Sequence, residues 1–154
     1  MSMLRAFVPF VAPLAFLVVL LLAVPAFADG KIFTRGGEAI SGYDPVAYFT
    51  EGKPVEGKDD ISFDWNGATW TFASVENREM FAANPEKYAP QYGGYCAYGA
   101  SKGAAAKTEP DAWSIIDGKL YLNYSDDVKA RWLQDIPGYI KTADENWPEI
   151  ESKL

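Results

Sequence analysis

The chain has 154 residues with 14 basic and 21 acidic side chains, a formal net charge of −7, no histidine and a single cysteine, Cys96. The acid excess disfavours nucleic acid and anionic lipid as partners, because both demand clustered Lys and Arg, although the same charge also serves plain solubility. The missing histidine removes the commonest metal ligand and the commonest acid or base at neutral pH, which excludes Ser-His-Asp and Cys-His triads, and one cysteine leaves no internal disulfide.

The N-terminus reads as a targeting signal. Arg5 supplies a positive start, Phe7 to Ala23 is almost wholly apolar, and Ala26-Phe27-Ala28 fits the small-x-small rule of signal peptidase. A cleaved signal peptide over residues 1–28, cut near Ala28, predicts a periplasmic or secreted protein. The alternative is an uncleaved anchor, since the apolar run reaches the lower limit for spanning a bilayer. Pro25 and the cleavage site follow that run directly with no charged stop-transfer flank, which favours cleavage and no stable membrane anchor afterwards. No cysteine lies near the cut to carry a lipid, and no Arg-Arg pair precedes the run to direct twin-arginine export. Cleavage leaves residues 29–154, expected to form a single domain with a net charge of −8 once Arg5 is lost.

That domain opens with a polar lead, Asp29 to Gly42, partly extended around Lys31 to Thr34. Ile61-Ser62-Phe63-Asp64-Trp65 alternates, Asn66-Gly67 suits the two positive-φ positions of a type I′ turn, and Ala68-Thr69-Trp70-Thr71-Phe72 returns, so a hairpin is predicted. Ser74 is placed to cap a helix over Val75 to Ala83, with Met80 and Phe81 on or near its buried face and Asn84-Pro85 as its end. A second hairpin is expected where Trp113 to Ile116 and Lys119 to Tyr124 flank Asp117-Gly118. Ser125 ahead of Asp126 and Asp127 starts the next helix, which should bring Trp132 and Leu133 to the core. Pro137 suits the first turn of a last helix, which Pro148 should close at about Trp147. The sum is an α+β fold: a small antiparallel sheet built from two β-hairpins and packed with three to four helices.

Three stretches together resemble a YHS domain: Tyr43-Asp44-Pro45-Val46-Ala47-Tyr48-Phe49, the aromatic hairpin through Trp65 to Ser74, and Glu76-Asn77-Arg78-Glu79-Met80-Phe81 to Asn84-Pro85-Glu86-Lys87-Tyr88. The core of the likeness spans about residues 42–88. The rest, including Tyr92-Gly93-Gly94-Tyr95-Cys96 and the tail from Trp113, is similar to longer exported single-domain members, with a C-terminal helical extension. In the members attached to heavy-metal transporters, the resemblance implies soft or imidazole ligands at the positions held here by Ala47, Ile61, Ala73 and Asn77. None of the four is a Cys or His in this chain. A copper or zinc site needs several such donors converging, so that transporter-type site does not carry over.

Two readings of Cys96 stand side by side. As a site thiol it neighbours Gly93-Gly94, where backbone can approach a ligand, and Tyr92, Tyr95 and Tyr98; as a buried small hydrophobe it is only structural. Asp44 is either the starter of an Asp-Pro turn or a ligand or proton-transfer group. Cys96 and Asp44 are accordingly the candidates for a metal ion, the one cofactor considered. Tyr43, Asp44, Tyr92, Tyr95, Cys96 and Tyr98 form the candidate ligand-binding set. Two functions follow. The favoured one is a non-enzymatic periplasmic binding module for a small ligand, a metal ion or a protein partner. The alternative is a redox or metal-dependent enzyme using Cys96 with neighbouring tyrosines, which requires an accessible Cys96 facing Asp44 or tyrosine oxygens across a concave site.

Overall fold

Residues 30–154 are described by the computed structural model, so the predicted signal peptide lies outside the described residues. Two short strands, β1 (Thr34–Arg35) and β2 (Glu38–Ala39), pair antiparallel. They precede a single helical turn, α1 (Ala47–Thr50). The first predicted hairpin is β3 (Lys58–Trp65) and β4 (Ala68–Phe72), with Trp65 opposite Ala68, Phe63 opposite Trp70, and a bulge between Lys58 and Ser62. Its turn takes φ of 51° at Asn66 and 80° at Gly67, both in the left-handed region. β2 adds in parallel to the other edge of β4, through Glu38 opposite Thr69, giving the order β1-β2-β4-β3.

α2 (Val75–Ala83) starts as expected, with the Asn77 N–H donating to the Ser74 hydroxyl at 3.1 Å. It stops at Asn84, and Pro85 opens a new turn of helix, α3 (Pro85–Tyr88). Phe81 is fully buried and lies among Phe63, Trp65, Trp70 and Phe72 at centroid distances of 5.0–6.2 Å. Met80, expected on or near that face, is 38% exposed: one residue is 100° of helix, and the aromatic stack accepts a single ring.

Beyond α4 (Ala97–Ser101), the second hairpin, β5 (Trp113–Ile116) and β6 (Lys119–Leu122), forms its own two-stranded sheet. The two hairpins share no ladder, and it is β2, not a strand of the second hairpin, that pairs with the other edge of β4. The period of two along β6 joins the halves of the molecule instead: Leu120 and Leu122 enter the core around Trp70 and Phe81, whereas Tyr121 enters a second one with Tyr92, Trp132 and Ala143.

α5 (Asp126–Trp132) is capped by Ser125, which accepts from the Val128 N–H at 3.2 Å. Trp132 is fully buried, but Leu133 is 46% exposed, because the chain tightens there into a 3₁₀ turn and rotates it outward. α6 (Ile136–Glu151) carries Pro137 in its first turn and runs through Pro148 for three more residues. The expected stop at Trp147 is overridden because Pro148 lies on the exposed face, where water can satisfy the freed carbonyl, while Ile150 beyond it is packed into the second core. The Asn146 amide donates to the carbonyls of Ala100 and Ser101 at 3.1 and 3.2 Å, tying α6 to the end of α4.

Candidate functional site

Asp44 is fully buried and both its carboxylate oxygens are occupied. Oδ1 accepts from the N–H groups of Val46 at 2.8 Å and Ala47 at 3.2 Å; Oδ2 accepts from the Ala73 N–H at 2.9 Å and the Asn77 side-chain amide at 2.7 Å. Residues 47, 73 and 77 are three of the four positions where the YHS resemblance implies transporter-type ligands. Here they converge on a carboxylate that clamps the Gly42 turn to the end of β4 and the start of α2. With about four acceptor sites and four donors, Asp44 has nothing left for an ion. Its neighbour Tyr43 is half-buried and donates to Glu56 at 3.4 Å, while the Asp44 N–H bonds the Val55 carbonyl at 2.8 Å.

Cys96 is 1% exposed. Its sulfur accepts from the Gly99 N–H at 3.3 Å, in the place of an N-cap oxygen at the start of α4, and its thiol donates to Asn123 Oδ1 at 3.5 Å. Burial pushes the thiol pKa up, against the opposing pull of the Gly99 N–H. Thiolate chemistry needs the reverse, exposure and a depressed pKa. Asp44 and Cys96 share no hydrogen-bonding partner, and among the described residues no three Cys, Asp or Glu side chains are grouped to hold a metal ion. The donors present do not fit the metal considered from sequence.

The tyrosines separate. Tyr98, half-buried, packs on Tyr139 at 5.2 Å with Lys102 over its ring. Tyr95, buried, donates to the Gly30 carbonyl at 3.0 Å and lies against Phe33 and Trp147. Tyr95 also borders a smaller cavity of about 220 Å³ with Phe33 and Lys107, whereas Tyr92 reaches a larger groove. Tyr92 sits in a left-handed turn with Gly93 and Gly94, at a φ of 57°. Its ring packs against Tyr121 and Trp147, and its hydroxyl donates to Asp144 Oδ1 at 2.9 Å. Burial, then the Asp144 carboxylate, push the Tyr92 pKa far above the ordinary phenol value, so the hydroxyl keeps its proton and remains a donor.

That groove, about 330 Å³, is lined by Trp65 from the hairpin tip, Glu86 from α3, Pro90, Tyr92, and Asp144 and Trp147 from α6. A volume of this order suits a small molecule. A second cavity of about 360 Å³ lies at the far end of α6, but it has no aromatic wall, and its Glu149 is engaged by Lys153 at 2.7 Å. Of the groove's walls only Tyr92 was singled out from sequence. Trp65 and Trp147 read there as core aromatics, and nothing local marks Glu86 or Asp144, because residues 65, 86, 92, 144 and 147 meet only after the tail folds back.

The family model for the YHS domain matches residues 46–92, starting four residues later than the resemblance suggested and reaching Tyr92. No curated protein matches this chain, and no solved structure does.

Proposed function

Proceeding from a chain that carries a YHS domain, we propose that this protein is a non-enzymatic periplasmic binding module whose binding face is the groove between α3 and α6. The single observation that carries the reading is the groove itself, an aromatic-walled cleft of small-molecule size with hydrogen-bonding groups at its rim. The redox alternative lacks support at its key residue, since Cys96 is enclosed and its thiol is held neutral. Export rests on the leader sequence, and among the described residues no helix is long and apolar enough to cross a membrane. Mass spectrometry of the periplasmic fraction should find the chain beginning at Asp29.

The test is a nuclear magnetic resonance screen of the purified protein against a chemically mixed set of small molecules, observing the indole resonances of Trp65 and Trp147. Hits should shift both, and Gln91→Arg, which fills the groove mouth from a half-buried position, should remove the response at unchanged thermal stability. Hits that map to another face, or none at all, would overturn the assignment of the groove.

A further inference from the structure

We infer that the groove selects a small organic cation of the quaternary-ammonium type, an inference that rests on the groove being the binding face. Three rings, Trp65, Tyr92 and Trp147, and two carboxylates, Glu86 and Asp144, share its lining. Among the described residues neither carboxylate has a Lys or Arg partner, although five other ion pairs form. The charge complement of the groove is therefore unfilled from within the described residues. A hydrated ammonium or metal ion gains little from indole walls. A cation wrapped in methyl groups gains from both, since aromatic faces attract it electrostatically and its alkyl surface is desolvated cheaply.

The positions of the two acids fit that role. Asp144 is held at the wall by the Tyr92 hydroxyl, which donates one hydrogen bond and leaves the second carboxylate oxygen available. Glu86 stands in the first turn of α3 and is exposed. Tyr92 itself adopts a left-handed φ where its neighbours Gly93 and Gly94 are glycines. Glycine would fit that backbone without strain, so the tyrosine is kept against a conformational cost, and its ring and hydroxyl both serve the groove. The excess of acidic residues over the whole chain draws cations toward the surface in the same sense.

The experiment titrates the purified protein with choline and, separately, with 3,3-dimethyl-1-butanol, which has the same shape with carbon in place of the charged nitrogen. Tryptophan fluorescence and the Trp65 and Trp147 indole resonances are read together. Choline should bind saturably and about tenfold or more tighter than the neutral alcohol, the worth of a cation–π and carboxylate contact. Glu86→Gln and Asp144→Asn should each weaken choline about fivefold without changing thermal unfolding, because each removes an exposed charge and the Asn oxygen still accepts from Tyr92. Equal binding of the two probes, unaffected by either variant, would overturn the cation class while leaving the groove a binding site. No response to choline at millimolar concentration would also overturn it, and the mixed-compound screen would then decide the groove independently.

Discussion

Asp44 shows how one side chain can be indispensable without meeting a ligand. Its four donors come from the turn after it, from the residue following β4 and from α2, so removing the acceptor strands the buried Val46 and Ala47 N–H groups and unpairs the partly buried Ala73 N–H and Asn77 amide at once. Asp44→Asn is the sharper test, because the amide keeps the shape but turns one acceptor into a donor facing the Ala73 N–H and the Asn77 amide. Unfolding in urea should show a loss of about 3–5 kcal/mol, a large share of the stability of an ordinary domain. A loss under 1 kcal/mol would mean that water reaches the node. Cys96 behaves differently. Cys96→Ala loses a cap acceptor and a small volume, so it should fold with a loss of about 1 kcal/mol and bind at the groove as before. The native thiol should react with a thiol reagent only as the protein unfolds; fast labelling of the folded protein would return Cys96 to consideration as a functional group.

At the scale of elements, the Tyr92-Gly93-Gly94 turn decides where the groove forms. It places the Gly93 carbonyl to accept from the Phe33 N–H at 2.8 Å and brings residue 92 under α6. A β-carbon at Gly93, whose φ is 59°, would run into the Lys31 carbonyl, whereas one at Gly67, φ 80°, meets open space. Gly67→Ala should therefore cost only its backbone strain, about 1–2 kcal/mol, and Gly93→Ala about 3 kcal/mol or more, because main chain must also move. Paired thermal melts read the difference, and equal losses would mean that the lead segment yields freely. The long reach of α6 belongs to the same scale. Its passage through Pro148 keeps Ile150 packed and extends the groove wall past Trp147.

Across the whole molecule the acid excess shapes the response to pH. Burial, reinforced by Asp59 beside it, raises the Glu38 pKa, so the folded state holds that proton more tightly than the unfolded chain and stability improves as pH falls through the raised value. Glu109 acts with the opposite sign. Arg35, donating at 3.1 Å, and Lys107, at 3.2 Å, lower its pKa, so its contribution is present above the ordinary carboxylate range and disappears as pH falls through the lowered value. Because Glu109 is well exposed, its share is small. Asp59→Asn should raise the unfolding temperature at pH 7, with the gain shrinking once the solution is acid enough to protonate Glu38. A gain that persists unchanged at pH 3 would assign it to something other than charge.

What was legible in the chain was local. Ser74 and Ser125 as caps, Asn66-Gly67 and Asp117-Gly118 as turns, and the alternation in both hairpins are settled by neighbours a few residues apart, and the YHS resemblance from Tyr43 to Tyr88 is carried by motifs of the same reach. The α+β class followed from these. What failed were inferences that needed a distant partner to decide them: of the pairs expected at the core, Phe81 and Trp132 were accepted while Met80 and Leu133 are turned outward, and Pro148 stays helical because its lost bond faces water. The candidate site divided along the same line. Composition already excluded histidine chemistry and a thiolate cluster, since no arrangement can supply side chains that are absent. Only the tertiary structure could bury Cys96, saturate Asp44, and gather Trp65, Glu86, Tyr92, Asp144 and Trp147 around one groove, because burial and convergence depend on how hairpin, loop and final helix pack together, and no spacing along the chain encodes that.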